Sequence, residues 1–216
     1  MGLAGRIYDA TWGRGFAALY DRGLKATEEA GLREIRRAVL AEASGRTIDL
    51  GAGTGVNIEL FPAAVSELVL AEPDPHMARR LRPRLGRSRV EASAIEAPAE
   101  RLPFEASSFD TAVFTLVLCT VPDPAAALAE AARVLRPGGK LLFVEHVRSE
   151  QLRLARWQDR LETPWRFLAD GCHCNRDTVS LIEASPFRLL RLERDRLPKA
   201  LPIVEPVAKG VATLPG

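Results

Sequence analysis

One carboxylate and three closely spaced glycines are the residues best suited to hold a charged ligand. Asp49 is followed by Gly51, Gly53 and Gly55, which alternate with other small residues. Glycines at this spacing predict a backbone that turns sharply and comes very close to a bound molecule. Ahead of them, apolar and polar residues alternate as at the end of a strand, and the residues after them can open a helix. Strand, glycine turn and helix together are typical of a nucleotide-binding corner in an open α/β sheet.

The carboxylate argues against a phosphate-containing ligand. In the dinucleotide fingerprint Gly-x-Gly-x-x-Gly the pyrophosphate rests on a helix N-terminus, and here Val56 occupies the position of the third glycine. Asp49 would repel a pyrophosphate and attract a cation. S-adenosylmethionine (SAM) has no phosphate and carries an ammonium and a sulfonium. The stretch resembles the first motif of class I SAM-dependent methyltransferases, an acidic residue followed by Gly-x-Gly-x-Gly. The resemblance implies SAM as cofactor, bound by residues that include Asp49, Gly51, Ala52, Gly53, Gly55 and Asn57.

A second carboxylate, Glu72, follows the apolar run at 68–71. It lies about twenty residues beyond the glycine turn, where nucleotide-binding folds place the acid that holds the ribose hydroxyls. A carboxylate accepts hydrogen bonds from both hydroxyls at once. We therefore predict that Glu72, with Pro73 beside it, binds the ribose of the cofactor. The alternative is a solvated strand end.

A loop that reads Ala-Pro-Ala-Glu-Arg-Leu-Pro-Phe begins at Ala97. It resembles the Asp-Ala-Glu-x-Leu-Pro-Phe stretch that wraps adenine in class I methyltransferases. Pro98 stands where the family usually has an aspartate, and its side chain offers adenine no hydrogen bond. We therefore expect backbone groups around Ala97 and Ala99, with the adjacent Glu100 and apolar contact from Ile95, to recognise adenine.

Two further strands must end at the same crevice. Residues 110–121 are nearly all apolar, as in a central parallel strand buried on both faces. Ligands of such sheets bind outside the carboxyl ends of the strands, so we predict Thr115, Leu116 and Cys119 as neighbours of the cofactor or the substrate. For Cys119, the role of a small buried residue is commoner than that of a nucleophile.

The predicted strand at 140–147 ends in Glu145 and His146. An imidazole with a pKa near neutral is a natural proton acceptor, which makes His146 our main catalytic candidate. The alternative is a structural histidine at a strand end. Asp170 and His173 are weaker candidates, in an aromatic and polar segment at 165–176 that we expect to cover the transferable methyl.

Three cysteines stand at positions 119, 172 and 174. Cys172, His173 and Cys174 suggest a metal site, but structural zinc sites usually have two to four residues between paired cysteines. Only one residue separates this pair and no second pair exists, so we predict no metal. An odd and sparse set of cysteines also argues against a disulfide scaffold and favours a reducing, cytoplasmic location.

The length of 216 residues suits one domain with a small cap. We interpret residues 1–43 as an N-terminal helical cap and residues 44–216 as a SAM-binding methyltransferase domain. The cap contains two helices, each with an apolar face: Trp12, Phe16, Leu19 and Tyr20 on the first, and Leu32, Ile35, Val39 and Leu40 on the second. The aromatic face is either core or a lid over the cofactor with Tyr8 or Tyr20 lining the pocket.

The remaining elements predict how these residues are positioned. Apolar runs predict strands at 46–50, 68–71, 89–94, 110–121, 140–147, 187–195 and 203–213. Helices are predicted at 76–85, 124–135, 151–163 and 178–184. The expected fold is α/β, a seven-stranded, doubly wound and mostly parallel Rossmann-like sheet, closed by an antiparallel hairpin as in class I methyltransferases.

Charge and hydropathy limit the partners. A net charge of +2 is too small to indicate nucleic acid, and we interpret the basic run at 79–89 as a solvated surface. No apolar run is long enough to span a bilayer, so no integral membrane span is expected. The aromatic face within residues 1–20 leaves peripheral membrane contact open. The oligomeric state also stays open.

A longer resemblance points to one family. Its pieces include Gly-Thr-Gly-Val-Asn at 53–57, and the most specific are Glu-His-Val at 145–147 and Asp-Gly-Cys at 170–172. The chain resembles the methyltransferase-like seven family, the alkyl thiol S-methyltransferases of animals. The resemblance implies a small-molecule substrate, with a thiol or sulfide as favoured methyl acceptor. The alternatives are a quinone precursor, a phenol or a phospholipid amine as acceptor, or a non-catalytic SAM-binding protein.

Overall fold

The computed structural model describes residues 14–216, and in that part of the chain seven strands form one sheet. The strand order is β3-β2-β1-β4-β5-β7-β6. The strands are β1 (Gly45–Leu50), β2 (Val65–Ala71), β3 (Glu91–Ile95), β4 (Phe109–Thr115), β5 (Leu135–His146), β6 (Arg188–Arg196) and β7 (Pro206–Thr213). β1 to β5 pair in parallel, whereas β7 is antiparallel to both of its neighbours. The predicted mostly parallel sheet with a closing hairpin is confirmed.

Helices cover both faces of the sheet. They are α1 (Arg14–Thr27), α2 (Arg33–Leu40), α3 (Pro75–Leu81), α4 (Pro124–Val134), α5 (Leu152–Leu168) and α6 (Thr178–Glu183). Aspartates Asp74, Asp123 and Asp177 cap α3, α4 and α6 by accepting hydrogen bonds from backbone N–H groups of the first turn. No helix in residues 14–216 is long and apolar enough to cross a bilayer.

The core consists of two apolar layers, one on each side of the sheet. On one side, Phe114 of β4 packs in the same cluster as Leu128 of α4. On the other side, Val113 of β4 packs with Val39 and Leu40 of α2. Adjacent residues of one strand therefore enter opposite layers, as expected of a central strand with helices on both faces.

The order of the strands places the site. The chain winds outward from β1 to β3, then returns to place β4 on the other side of β1. Such a reversal opens a crevice beyond the carboxyl ends of the two central strands. The glycine turn follows β1, Glu72 follows β2, Leu116 follows β4, and His146 ends β5. The topology therefore brings the predicted site residues to one edge of the sheet.

Three differences between the predicted and the observed elements lie beside the site, and the ends of other elements also shift; β5, for example, begins at Leu135 instead of residue 140. The helix expected after the glycine turn is only a 3-10 turn, Ile58–Leu60, because Phe61 precedes a proline and is extended. β4 ends at Thr115 instead of residue 121, since Leu116 has a φ of 60° and the chain turns. α5 continues through Pro164 to Leu168. An interior proline usually kinks or ends a helix, but this helix continues past Pro164, so the start of the predicted covering loop is helical.

The division at residue 43 stays a proposal. Leu32 and Leu40 lie in the same apolar cluster as the sheet residues Leu68 and Val211, so the second predicted helix contributes to the core of the domain. Tyr8, Trp12 and the side chain of Phe16 lie outside the described residues.

Candidate active site

A cavity of about 650 Å³ lies at the carboxyl edge of the sheet. Its walls come from the ends of β1, β2, β4 and β5, from the loop after β3, and from α1 and α5. Pockets for small molecules have about 300–1,000 Å³, so this cavity has a suitable size for a cofactor and a small acceptor.

The three glycines of the turn serve two different purposes. All three have positive φ, 63° at Gly51, 57° at Gly53 and 83° at Gly55. A Cβ at Gly51 would lie 2.6 Å from Val117, and a Cβ at Gly55 would lie 2.6 Å from Leu81. A Cβ at Gly53 would meet no protein atom closer than 4.0 Å and would project into the cavity that Gly53 lines. Gly53 therefore leaves room for a ligand, whereas the other two allow the chain to pack.

Glu72 braces the glycine turn from the end of β2. One carboxylate oxygen accepts a hydrogen bond from the backbone N–H of Gly53 at 2.7 Å, and the other accepts from the N–H of Asp74 at 2.8 Å. Burial raises the pKa of Glu72 to about 7. Each oxygen retains a second lone pair, and Glu72 lines the cavity. The carboxylate is thus placed to accept from a ligand as well as from the chain.

Asp49 lies beneath the turn and does not line the cavity. The Asn57 amide donates hydrogen bonds to Asp49 at 3.0 Å and to Thr115 at 2.9 Å. Arg36, fully buried on α2, donates to the Asn57 side-chain oxygen at 3.2 Å and also binds Glu28 at 3.1 Å. Burial raises the pKa of Asp49 to about 7. This network fixes the turn from behind, and Arg36 was missed although it interrupts the apolar stripe of its helix.

The loop expected to hold adenine forms one wall. Pro98, Ala99 and Glu100 line the cavity, and Ala97 is buried beside them. The Glu130 carboxylate of α4 accepts from the N–H of Leu102 at 2.7 Å. The loop is therefore held by α4 at the wall of the cavity.

The opposite end of the cavity is shaped by the buried Glu145. Its carboxylate accepts from the N–H groups of Val117 at 2.9 Å and Cys119 at 3.3 Å, where the chain turns after β4. Burial raises the pKa of Glu145 to about 7. The sequence signal for Glu145 was a charged residue in an otherwise apolar strand, next to His146.

His146 faces two cysteine sulfurs at this end. Its Nδ1 lies 3.6 Å from the Cys172 Sγ and 3.9 Å from the Cys119 Sγ, and the two sulfurs are 3.7 Å apart. All three residues line the cavity. Cys119 was predicted to be a neighbour of the cofactor or substrate, whereas Cys172 was not predicted at the site, because the group is brought together from three distant parts of the chain.

The Cys-His-Cys tripeptide itself does not form one site. His173 Nδ1 lies 2.8 Å from the Glu162 carboxylate, and burial is the main reason that its pKa is lowered. The Cys174 thiol donates to the backbone oxygen of Gln158 at 3.5 Å. Neither residue lines the cavity, whereas Cys172 does.

The remaining walls come from two helices. Leu19, Tyr20 and Leu24 of α1 and Trp165 of α5 line the cavity, and burial raises the pKa of Tyr20 to about 12. The Trp165 Nε1 is buried and has no hydrogen-bond partner within the described chain. The suggestion that Tyr20 lines the pocket is confirmed.

The predicted site residues fall into two groups. Seven predicted cofactor residues and two predicted catalytic residues line the cavity: Gly51, Gly53, Glu72, Pro73, Ala99, Glu100 and Leu116, together with His146 and Asp170. The others lie behind its surface or beside it: Asp49, Ala52, Gly55, Asn57, Ala97, Thr115 and His173. The roles of all of these residues stay predictions.

Comparison with known proteins defines the class. Residues 48–143 match the family model described as methyltransferase domain. The fold resembles a SAM-dependent methyltransferase from Thermotoga maritima with a TM-score of 0.67 and 24% identity, covering 93% of this chain and 97% of that one. It also resembles geranyl diphosphate methyltransferase in complex with SAM, with a TM-score of 0.62 and 14% identity, covering 84% and 83%. The fold and these matches define a class I SAM-dependent methyltransferase, an enzyme whose cofactor is SAM.

Curated relatives narrow the class to one family. Human thiol S-methyltransferase TMT1B is 37% identical over 171 residues, covering 76% of this chain and 70% of the relative. Human TMT1A is 31% identical over 169 residues, covering 76% and 69%. Rat TMT1B is 36% identical over 161 residues, covering 72% and 66%. The chain belongs to this thiol S-methyltransferase family, and it spans about two thirds of the length of these relatives.

Proposed function

We propose that the protein transfers the methyl group of SAM to the sulfur of a small thiol. The observation that carries this proposal is the identity with thiol S-methyltransferases, 31% and 37% for the two human relatives. The far end of the cavity agrees with it, because sulfur, imidazole and indole groups surround the space there.

The residues present fit SAM. When bound, SAM supplies a methyl group activated by a sulfonium. We propose that Gly53 leaves space for the cofactor. We also propose that Glu72 accepts hydrogen bonds from the ribose hydroxyls and that the loop at 98–100 contacts adenine. The space beside Gly53 supports this fit, since a Cβ there would enter the cavity. Holding donor and acceptor in line supplies much of the rate of such a transfer.

The acceptor needs little help to ionise. A free thiol has a pKa of about 8.5, so a modest influence produces thiolate near neutral pH. We propose that His146 promotes this ionisation, because it lines the end of the cavity opposite the adenine loop, where we place the acceptor. Asp170, which also lines the cavity, is the second candidate. His173 is the weakest, because its imidazole is engaged with Glu162.

The N-terminal segment is proposed to close the site. Leu19 and Leu24 of α1 line the cavity, so a cap formed by residues 1–43 would exclude water from the reacting groups. The exposed Leu19 also leaves contact with a membrane surface as a proposal. A cytoplasmic location is proposed because Cys119, Cys172 and Cys174 are all free thiols.

A competition experiment tests the acceptor class. An alkyl thiol, a phenol and a primary amine of matched size are incubated together with the protein and isotope-labelled SAM, and the products are identified by mass spectrometry. The proposal predicts that most of the label appears as a thioether. If most of the label is found on the phenol oxygen or the amine nitrogen, that group is the preferred methyl acceptor and the thiol proposal is wrong.

A further inference from the structure

Cys119, His146 and Cys172 come from three separate parts of the fold. Cys119 lies in the turn after β4, His146 ends β5, and Cys172 lies in the loop after α5. Their side-chain Sγ, Nδ1 and Sγ atoms lie 3.6, 3.7 and 3.9 Å apart. Among the described His, Cys and acidic residues, these three form the group close enough to share one metal ion.

The three distances agree with tetrahedral zinc. Zinc binds cysteine sulfur at about 2.3 Å and histidine nitrogen at about 2.0–2.1 Å, which at a tetrahedral angle separates two sulfurs by about 3.8 Å and sulfur from nitrogen by about 3.6 Å. The observed separation of the two sulfurs is 3.7 Å, and those between sulfur and nitrogen are 3.6 and 3.9 Å. An ion therefore fits between the three atoms with little movement of the chain.

Hydrogen bonds hold the parts of the cluster in place. The N–H of His173 donates to the Cys119 carbonyl at 2.8 Å, which fixes the loop of Cys172 against the turn after β4. The Thr178 hydroxyl donates to the His146 carbonyl at 3.1 Å. Arg176 donates to the carbonyls of Leu118 and Val121 at 2.6 and 2.9 Å, which holds the turn that carries Cys119.

One coordination position would face the cavity. All three residues line it, and the group contains no fourth protein ligand among the described residues. Three protein ligands with an open fourth position characterise catalytic zinc sites, and two cysteines with one histidine are a known set. Structural zinc sites, in contrast, are closed by four protein ligands.

We propose that Cys119, His146 and Cys172 bind one zinc ion, whose fourth position takes the acceptor thiol as thiolate. The second half of this proposal rests on the proposed thiol methylation. On coordination the acceptor thiol releases its proton to solvent. Its sulfur lone pair then forms the bond to the methyl carbon, while the electron pair of the breaking methyl–sulfonium bond stays on the departing sulfur. His146 thus promotes ionisation as a metal ligand. No electron donor or acceptor is needed.

Metal binding can be measured without activity. The whole 216-residue chain, reduced and freed of metal, is titrated with Co²⁺, whose thiolate charge-transfer and tetrahedral ligand-field absorption report the ligand set. The wild-type protein should bind one equivalent of Co²⁺ and show these absorption bands, and added Zn²⁺ should displace the Co²⁺. Cys119→Ser and Cys172→Ser should each lose most of the charge-transfer intensity. Cys174→Ser is the matched control, since Cys174 is a buried neighbour outside the cluster, and it should behave as the wild type.

Several results would contradict the proposed metal site. If the reduced wild-type protein shows no thiolate bands with Co²⁺, the three residues do not bind the metal. If Cys174→Ser loses the bands as much as Cys119→Ser and Cys172→Ser do, the ligands are not those proposed. A Cys119–Cys172 disulfide found by mass spectrometry, with no metal bound under reducing conditions, would make the pair a redox couple instead. Folding of each variant is checked by circular dichroism, and His146→Ala provides a third variant if a serine variant fails to fold.

The acceptor half has its own test. An alkyl thiol added to the Co²⁺ protein should increase the charge-transfer absorption, whereas the matched alcohol should not. Unchanged thiol methylation by protein shown to be metal-free would overturn the catalytic role of zinc and leave the proposed function standing. A metal-loaded protein that methylates phenols or amines but no thiol would overturn the proposed function and leave the metal site standing.

Discussion

Replacing Gly53 by alanine should separate cofactor binding from folding. The added Cβ would lie 4.0 Å from the nearest protein atom, the carbonyl oxygen of Gly51, so the chain itself has room for it. The φ of 57° at this position is left-handed, which costs an L-residue about 1–2 kcal/mol. We therefore expect the free energy of unfolding to fall by about that amount, since the strain is present with and without ligand.

Gly53→Ala should also weaken SAM binding, in addition to its effect on stability. A methyl group that enters a filled space costs about 1–3 kcal/mol, and tenfold in affinity corresponds to about 1.4 kcal/mol. Gly53→Ala should therefore weaken SAM binding by roughly 5- to 140-fold in calorimetric titration. Thermal unfolding of the same sample shows whether the variant is folded. A folded Gly53→Ala protein with wild-type SAM affinity would refute the placement of the cofactor beside this glycine.

Gly138 offers a matched control for the backbone strain. Its φ is 78°, and a Cβ there would meet no atom within 4 Å. Gly138 does not line the cavity. Gly138→Ala should therefore lower stability by a similar amount and leave the affinity for SAM unchanged.

Three further predictions concern the carboxylates and His146. Glu72→Ala should weaken SAM binding by about 1–3 kcal/mol, because ribose hydroxyls lose their acceptor; unchanged calorimetric affinity would exclude the ribose role. Asp49, with a pKa raised by burial from 3.8 to about 7, keeps a proton in the folded state that the unfolded chain releases. Its contribution to stability should therefore fall as pH rises through that window, and urea titrations of Asp49→Asn should show a weaker fall than those of the wild type. An equal fall would contradict this assignment. His146→Ala should slow transfer to an alkyl thiol more than to an aromatic thiol, which ionises unaided, while His173→Ala should slow either transfer less than His146→Ala does. Equal slowing of both acceptors would assign His146 to positioning or folding.

The fold could be predicted because its signals are local. The glycines after Asp49, the acid at position 72 and the apolar run after Asp110 each belong to one short stretch. Element ends were predicted less well, since contacts from distant residues set them. The chain turns after β4 where the carboxylate of Glu145 accepts from the N–H groups of Val117 and Cys119, and no pattern within β4 reveals that partner.

The site residues also differ in how far the sequence could predict them. The cofactor end follows from the glycine turn and from Glu72, whose positions along the chain carry the information. The group formed by Cys119, His146 and Cys172 exists only after folding, because 26 residues separate the last two and 53 separate the cysteines. Spacing within Cys172-His173-Cys174 could indicate only a local metal site, and the structure shows that these three side chains do not share one.

The most direct measurement is a single turnover with SAM that carries a trideuterated methyl group. The protein is saturated with this cofactor, mixed with an alkyl thiol and quenched, and the products are quantified by mass spectrometry. We expect trideuteromethyl thioether and S-adenosylhomocysteine in equal amounts, and little labelled product when an alcohol of the same shape replaces the thiol. Bound SAM that yields no labelled thioether, or faster transfer to the alcohol than to the thiol, would contradict thiol methylation.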